Sequence, residues 1–508
     1  MKRFANRIFT NLACNATTPR PRAFSLRSAS IKTDQGPGDI DDFTSWPMLT
    51  DRRFSSRHIP PKTKTYIDSL PFDAPPLDGE IGQITELFLR KGAMQPSRSS
   101  SLFMFFAQWF TDSFLRVDQT DRRKNTSNHN LDLCQIYGLD ESTASILRSH
   151  QGGKLRCKIV NGESYLDNLF EPHHSDQWRI KPHYQDLPYV QSGVLDNMIK
   201  QWPDRQSHWY ATGLERGNSS IGYAAISTLF LREHNRLCDE LQSRYPNWSD
   251  ERLFQTARNI NIVLMMKIVV VDYINHIVGY PLFVFDRHFA EKQKWYRTPW
   301  ISLEFNMLYR WHGLIPDHIM VNNDHIGHRD YRFNNALLEQ EGLNDIIASA
   351  SASPAGEISL ENAPEFMMMA EYQNIKMGRD FRLASYNDYR EHFGLKPMKS
   401  FQQLTGNRHL ANKLQNCYGN IDKLELIVGL FAEKRGHKRL YGELMYTMVA
   451  YDAFTQVYTN PLLASNVFNA STFSQLGLDT IEKTSSLQDL VNRNCRSVSQ
   501  IKAVFGYP

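Results

Sequence analysis

Residues 301–318 read ISLEFNMLYRWHGLIPDH, and within them a phenol and an imidazole, Tyr309 and His312, lie three positions apart. The apolar residues of this stretch recur at helical spacing, which predicts a helix. Residues three apart on one helix have Cβ atoms about 5–6 Å from each other, so both side chains would face one site. Any one of the seventeen histidines is more often structural than functional. A role for Tyr309 and His312 therefore needs further evidence from the rest of the sequence.

Similar apolar-periodic segments elsewhere predict a mainly α fold, one large domain with little β structure. They are residues 102–115, 227–245, 250–277 and 300–315. The serine run at 97–101 supplies cap residues ahead of the first helix, and the best strand signal is KLRCKIVNGESYL at 154–166. The most apolar run, 259–277, is interrupted by Lys267 and Asp272, which indicates a buried core helix and not a membrane span.

Composition excludes several classes of protein. The 508 residues include 41% hydrophobic residues and 29 Phe, enough for a large core, and a net charge of +4 gives no nucleic-acid footprint. The six cysteines form no CxxC pair, which excludes zinc ribbons and fits a reducing, intracellular compartment. The short motifs of P-loop enzymes, dinucleotide enzymes, zinc proteases and serine hydrolases are absent. A helical enzyme of this kind often borrows a cofactor, and histidine commonly holds haem iron.

The N-terminal segment differs from the rest of the chain. Seven basic residues precede the first acid, Asp34, a bias typical of an organelle presequence. The same segment also fits a basic amphipathic helix in peripheral contact with a membrane, and a disordered soluble leader is the third alternative. The apolar residues on one side of that helix are Phe4, Ile8, Phe9 and Leu12. We therefore divide the chain into a leader at 1–40 and a catalytic domain at 41–508.

A family resemblance extends over most of the chain. EFNMLYRWHGLIPD at 304–317 resembles the cyclooxygenase segment that carries a radical tyrosine and the proximal haem histidine. The similarity continues through TLFLREHNRLCDEL, DERLFQTAR, YNDYREHFGLKPMKSFQQLTG, NCYGNIDKLELIVGL and YGELMYTMVAYDAF. It covers roughly residues 45–495 and identifies the chain as similar to the cyclooxygenase (prostaglandin-endoperoxide synthase) branch of the animal haem peroxidase superfamily.

The resemblance implies an oxidoreductase with one non-covalent haem b per chain. His312 would be the axial iron ligand, and Tyr309 would carry a radical that takes hydrogen from a polyunsaturated fatty acid. Molecular oxygen would then add, giving a hydroperoxide or a prostaglandin endoperoxide, and peroxide would react on the distal face. Ile427 replaces the tyrosine beneath the proximal histidine, so the support of His312 is altered. A homodimer is also expected. Two alternatives stay open, a haem peroxidase without fatty-acid oxygenation and a non-catalytic haem-binding protein.

The distal face is where the chain departs from the family. FFAQWFTDSFL at 105–115 resembles the helix that presents a glutamine and, four residues later, the distal histidine. Here the pair is Gln108 and Asp112, which share one helix face. Arg216, sixteen residues before the arginine of REHN, matches the distal arginine of the mammalian-peroxidase branch and would help Asp112 stay ionised. A surface arginine is the alternative.

The resemblance also implies a fatty-acid channel beneath Tyr309. Tyr280 resembles the constriction tyrosine, and Arg27 would be the cation that meets the substrate carboxylate. Ala453 replaces the serine that aspirin acylates, while Val449 and Gln456 replace small residues, which predicts a narrower tunnel with a more polar end and argues against endoperoxide formation. The matching wall residues, which would suit any hydrophobic core as well, are Tyr273, Ile274, Ile277, Phe305, Leu308 and Trp311.

Overall fold

The computed structural model describes residues 2–15, 50–73, 82–174, 177–495 and 501–507. Helices dominate these residues and the strands are short, so the prediction of a mainly α fold is confirmed. The predicted boundary between leader and catalytic domain lies outside the described residues, as does Arg27.

Eight helices position the site or frame it. They are α1 (Lys2–Cys14), α2 (Ser101–Thr111), α3 (Ile221–Arg244), α4 (Asp250–Ile268), α5 (Leu303–Leu308), α6 (Met368–Asp380), α7 (Glu443–Tyr458) and α8 (Ala470–Lys483). Serine hydroxyls cap several of them, as the sequence predicts for α2, where Ser100 accepts a hydrogen bond from the Phe103 amide. Capping fixes where each helix begins, and so which residues each helix face presents.

Shorter helices fill the space between these eight. They cover Lys64–Asp68, Gln83–Glu86, Cys134–Tyr137, Glu141–Leu147, Pro188–Gln191, Val194–Gln201, Asn275–Val278, His328–Tyr331, Asn335–Glu341, Leu343–Ala352, Tyr386–His392, Phe401–Thr405, Arg408–Tyr418, Leu426–Ala432 and Leu487–Asn494. Short 3₁₀ turns add further connections, and one of them, His312–Leu314, belongs to the site.

The strands form four separate antiparallel pairs. β1 (Pro96–Ser100) pairs with β8 (Pro354–Gly356), and β2 (Cys157–Val160) pairs with β3 (Glu163–Leu166). The second pair is a hairpin that lies within the strand signal at 154–166. The other pairs are β4 (Phe170–Pro172) with β5 (Trp178–Ile180), and β6 (His318–Val321) with β7 (Asp324–Gly327). β1 leads directly into α2 and sets the direction in which α2 enters the core.

The core is built around α3, which is buried along most of its length. α2 crosses it closely at Gly222, where an added Cβ would lie 2.1 Å from the ring of Phe105. The indole of Trp109 also donates a hydrogen bond of 3.0 Å to Ser227 on α3. This close approach places the C-terminal end of α2 opposite the N-terminal end of α3.

The longest apolar helix lies inside the protein. Residues Asp250–Val278 are long and apolar enough to cross a membrane, but 72% of their most apolar window is buried. The prediction of a core helix is therefore confirmed. The helix includes a π-helical turn at Val269–Ile274 and ends at Gly279, whose left-handed φ of 84° and close approach to the Lys438 carbonyl favour glycine.

The N-terminal helix α1 packs against α7 through its polar face. The Arg7 guanidinium donates to Asp286 at 2.7 Å, and the Trp295 indole donates to Asn11 at 2.9 Å. Asn6 is buried and accepts a hydrogen bond from the Val284 amide. The opposite, apolar face is exposed, with Phe4 at 70% and Leu12 at 64% exposure. The helix thus faces its apolar side outward.

Candidate active site

A cavity of about 380 Å³ lies where α2, the start of α3 and the stretch after α5 meet. Its wall includes five residues predicted from the sequence: Gln108, Asp112, Arg216, Tyr309 and His312. The structure brings these five together from three segments of the chain, at 108–112, at 216 and at 309–312. Their chemical roles remain predictions.

Tyr309 and His312 reach the cavity by a route that the sequence did not predict. The expected single helix is wrong, because α5 ends at Leu308 and His312 begins a 3₁₀ turn. Pro316 does not explain this end, because it removes only the hydrogen bond to the His312 carbonyl, which lies beyond Leu308. Gly313 then packs tightly, as an added Cβ would lie 2.4 Å from the Glu357 carbonyl oxygen. The non-helical turn still directs both side chains to one cavity.

His312 has a buried carboxylate behind it. Its Nδ1 lies 2.9 Å from Oε1 of Glu371 on α6, and Asn374 donates a 3.0 Å hydrogen bond to the other carboxylate oxygen. No sequence pattern predicted this partner, since the family resemblance pointed only to Ile427 as the residue beneath His312. A hydrogen bond at Nδ1 leaves Nε2 as the nitrogen that can bind a metal.

The distal wall is formed by the end of α2. Asp112 is the residue that ends the helix, and its amide still bonds to the Gln108 carbonyl, so both side chains lie on the cavity side. Gln108 donates a 3.2 Å hydrogen bond to Ser219. The Arg216 guanidinium lies 3.6 Å from an Asp112 carboxylate oxygen. Asp112 and Arg216 therefore form an acid–base pair at the mouth of the cavity.

Burial controls the charge of Asp112. It raises the pKa of Asp112 above its ordinary value, although Arg216 and Arg116 act in the opposite direction. Glu215 raises the pKa further, and the Tyr223 hydroxyl lowers it. Arg216 lowers the pKa of Asp112, as expected from the sequence, but burial outweighs it, so the pKa is raised and not low.

Tyr309 lies among aromatic rings. Its ring centroid is 4.6 Å from that of Trp311 and 5.3 Å from that of Phe305. Burial raises the pKa of Tyr309 far above its ordinary value, and the negative charge of Asp452 raises it further. Tyr309 is therefore a neutral phenol at physiological pH, as a donor of a hydrogen atom requires.

Asp452 belongs to a buried pair that the sequence analysis missed. Its carboxylate lies 3.0 Å from Nε2 of His58, and both side chains are almost fully buried. The pair joins residues 394 positions apart, so sequence spacing gave no signal. A single acid inside the apolar run YTMVAYDAF was the one hint available. The pair places charge and hydrogen-bonding capacity near Tyr309.

The predicted channel residues divide by exposure. Tyr273, Ile274, Ile277, Phe305, Leu308, Trp311, Val449, Ala453 and Gln456 are buried. Tyr280 is exposed instead, and the Lys438 ammonium lies 5.4 Å from its ring centroid. The Oε1 atom of Gln456 is buried without a hydrogen-bond partner among the described residues. The predicted polar end of the tunnel, at Gln456, therefore contains a buried polar atom without a hydrogen-bond partner among the described residues. Lys438 places a cation beside Tyr280.

The cavity has the groups that a haem requires. His312 offers an imidazole nitrogen, and two guanidinium groups on the wall have no acid partner among the described residues. Burial lowers the pKa of Arg310 to about 10, and its Nε has no hydrogen-bond partner within the same residues. Burial also lowers the pKa of Arg332, which lies over the rings of Phe333 and Phe366. Two such cations suit the two propionates of a haem.

Comparison with known proteins identifies the family. The model of the family described as animal haem peroxidase matches residues 86–505. The chain belongs to the animal haem peroxidase family. Prostaglandin G/H synthase 1 of Rattus norvegicus is 32% identical over 488 residues, which are 93% of this chain and 76% of that protein. Prostaglandin G/H synthase 2 of Gallus gallus is 30% identical over 498 residues, with the same two coverages.

Solved structures of this animal haem peroxidase family's fold agree with the description above. The fatty acid alpha-dioxygenase of Oryza sativa, with palmitic acid, has a TM-score of 0.66 at 18% identity and covers 83% of this chain and 80% of its own. Peroxidase A of Dictyostelium discoideum has a TM-score of 0.66 at 17% identity, with 88% and 94% covered. These likenesses show the fold. Family membership confirms the predicted resemblance, the predicted oxidoreductase class and haem as its cofactor.

Proposed function

We propose that the protein is a haem-dependent fatty-acid dioxygenase that uses a radical on Tyr309. The radical takes a bis-allylic hydrogen atom from a polyunsaturated fatty acid and becomes a phenol again. Molecular oxygen adds to the carbon radical, and the resulting peroxyl radical takes the hydrogen atom back from Tyr309. The product is a fatty-acid hydroperoxide, and Tyr309 returns to its radical form for the next cycle.

One observation carries this proposal, which is that Tyr309 lies on the wall of the cavity that holds His312 and also touches predicted channel residues. It borders this cavity, which Trp311 also lines, and its ring contacts Phe305, a predicted channel residue outside the cavity wall. A phenol in this position connects an oxidising centre with a lipid substrate. A haem supplies the oxidising power when peroxide reacts with it.

Protons are moved by the distal residues. Asp112 accepts the proton of the peroxide's inner oxygen and delivers it to the outer oxygen, which leaves as water. Arg216, 3.6 Å from the Asp112 carboxylate, favours the ionised form of Asp112, and Gln108 keeps its orientation through Ser219. The haem is of the b type, one per chain and non-covalent, since Ser219 and Ser220 provide no carboxylate for an ester link.

A simple hydroperoxide is the preferred product over an endoperoxide. Val449 and Gln456 take up space near the buried end of the predicted channel, and folding a chain for two oxygenations needs that space. Lys438, beside Tyr280, is the described cation that can meet the fatty-acid carboxylate, and Arg27 stays the cation predicted from the sequence.

A second function is supported by the pair Asp112–Arg216 and by the carboxylate behind His312. Both favour peroxide cleavage, so the protein could act as a peroxidase on small reductants without oxygenating fatty acids. Tyr309→Phe separates the two functions, because phenylalanine fills the same volume without a removable phenolic hydrogen.

The test uses haem-loaded protein with linoleate or arachidonate, measured as oxygen uptake and by mass analysis of the products. We expect Tyr309→Phe to abolish fatty-acid-dependent oxygen uptake and to leave peroxide turnover within a few-fold. Tyr441→Phe is the matched control, since its buried hydroxyl has no hydrogen-bond partner among the described residues. Oxygen uptake that survives in Tyr309→Phe would contradict the dioxygenase, and no uptake by the wild type with normal peroxide turnover would favour the peroxidase.

We further propose that α1 rests on an anionic lipid membrane. Its exposed apolar side chains, Phe4, Ile8, Phe9 and Leu12, stand beside the exposed cations Lys2 and Arg3. Apolar side chains flanked by cations are suited to the headgroup region of an anionic bilayer.

Sedimentation with vesicles tests this contact. The double variant Phe9→Ser, Leu12→Ser should lose binding to vesicles of phosphatidylcholine with phosphatidylglycerol, while Ile159→Ser, an equally exposed apolar residue on β2, should not. Unchanged binding of the double variant would contradict a lipid contact. If its mass in solution changed instead, α1 would form the predicted homodimer. Cell fractionation would test the predicted intracellular location, organellar or membrane-bound.

A further inference from the structure

Glu371 is the carboxylate that contacts His312 most closely. Its Oε1 lies 2.9 Å from Nδ1, and the side chain is only 1% exposed. The two residues come from the 3₁₀ turn after α5 and from α6, which are 59 positions apart in the sequence. A carboxylate shielded from water to this degree makes a strong hydrogen bond with an imidazole N–H.

Asn374 fixes the carboxylate in place. It lies one turn after Glu371 on α6, is buried, and donates its amide to Oε2 at 3.0 Å. Both carboxylate oxygens therefore have a partner. If Glu371 turned away from His312, a buried donor would be left unpaired, which is costly. The orientation of the imidazole is thus set by a chain of two hydrogen bonds.

We propose that Glu371 is a positioning residue that makes His312 a strongly electron-donating axial ligand. By accepting a hydrogen bond from Nδ1–H, the carboxylate holds His312 in the tautomer whose Nε2 lone pair is free to bind iron. Its negative charge also raises the electron density that the imidazole gives to a metal, as partners of metal ligands do elsewhere. The inference rests on the proposed function only in requiring a bound haem.

This role complements the unusual distal residue. Asp112 is an intrinsically weaker base than a histidine in the same place, with an ordinary pKa of about 3.9 against about 6.5. Burial narrows this difference by raising the pKa of Asp112. With haem bound, an electron-rich His312 would assist cleavage of the O–O bond, as thiolate ligands do in other haem proteins. Glu371 would thus compensate for the presence of Asp112 in place of the family's distal histidine.

The experiment compares haem-loaded wild type with Glu371→Gln, which keeps the side-chain shape and removes the negative charge. We expect the iron–histidine stretching frequency in resonance Raman spectra of the ferrous protein to fall, and the midpoint potential of the iron to rise. Peroxide cleavage should slow by roughly 10–100-fold, with haem content unchanged. Glu371→Asp, which restores the charge at a shorter reach, should lie between the two proteins.

A matched control is available in the same chain. Glu339 also bonds to a histidine Nδ1, that of His208 at 3.0 Å, and lies outside the cavity wall. Glu339→Gln should change neither the Raman frequency nor the potential. Equal shifts in both Gln variants would overturn the inference, as would a haem-loaded Glu371→Gln with wild-type values. If Glu371→Gln does not fold, wild-type values in Glu371→Asp decide against it.

The inference and the proposed function can fail separately. A wild type that shows no fatty-acid oxygenation, with a potential that still depends on Glu371, refutes the dioxygenase and keeps the role of Glu371. Fatty-acid oxygenation with no effect of Glu371 does the reverse. A wild type that binds no haem refutes both.

Discussion

Replacing Asp112 with asparagine keeps the side-chain volume and removes the group that would accept the peroxide proton. A positioned acid–base group usually contributes about 10²–10⁴-fold to a rate. We therefore expect peroxide cleavage in Asp112→Asn to slow by that factor, with unchanged haem content because His312 is untouched. The rate of the Soret change after rapid mixing with hydrogen peroxide measures it directly.

The dependence of this rate on pH follows from the surroundings of Asp112. Burial raises its pKa, Glu215 raises it further, and Arg216, Arg116 and the Tyr223 hydroxyl lower it. Because the pKa is raised, the base is present above that pKa and is lost as pH falls through it. The acid limb should consequently lie at a higher pH than for an exposed aspartate.

Replacing Arg216 gives a second test of how the rate of peroxide cleavage falls at acidic pH. Its guanidinium lies 3.6 Å from the Asp112 carboxylate but is 55% exposed, so their attraction is worth about 1 kcal/mol in a water-like dielectric. That energy corresponds to a factor of roughly five. Arg216→Gln should reduce the rate by about this factor on the acid limb and much less on the plateau.

Two results would refute the reasoning. An unchanged rate of the Soret change in Asp112→Asn would show that the carboxylate is not the distal base. A fall of equal size in Arg216→Gln at every pH would show that Arg216 acts on the departing oxygen and not on the charge of Asp112. Both variants keep Ser219 and therefore leave the hydrogen bond from Gln108 to Ser219 unchanged.

Three further predictions follow from single residues. His312→Ala should lose stoichiometric haem, measured by the Soret band, and normal haem content would move the ligand elsewhere. Aspirin should neither acetylate nor inactivate the enzyme, because Ala453 has no hydroxyl, and acetylation found by mass spectrometry in residues 443–458 would contradict the alignment there. Gly313→Ala should lower the unfolding free energy by about 1–3 kcal/mol, since its Cβ would meet the Glu357 carbonyl, and an unchanged denaturation midpoint would contradict that packing.

The sequence predicted well those parts of the site that depend on local periodicity. Gln108 and Asp112 share a helix face because the apolar pattern of α2 fixes that face and Ser100 fixes where the helix begins. The helix expected through Tyr309 and His312 ends at Leu308 instead, and Pro316 does not account for it, since it interrupts only the bond to the His312 carbonyl. Close packing of Gly313 against the Glu357 carbonyl, which depends on the tertiary structure, lies next to the pair.

The partners of the key residues were beyond such rules. Glu371 is 59 residues from His312, and His58 is 394 residues from Asp452, so only the tertiary fold brings them together. No periodic sequence pattern identifies a residue that matters because it contacts a distant part of the chain. The family resemblance directed attention to Ile427, which in this chain contributes packing and not a hydrogen bond.

The two arginines of the cavity wall make the cofactor part of the protein's thermodynamic stability. Arg310 and Arg332 are desolvated and have no acid partner among the described residues, so the chain without haem pays for two poorly compensated cations. Any ligand that binds the native state alone stabilises it in proportion to the logarithm of its free concentration. Haem bound to the native state would therefore raise the free energy of unfolding, and the apoprotein would unfold more readily than the haem-loaded protein.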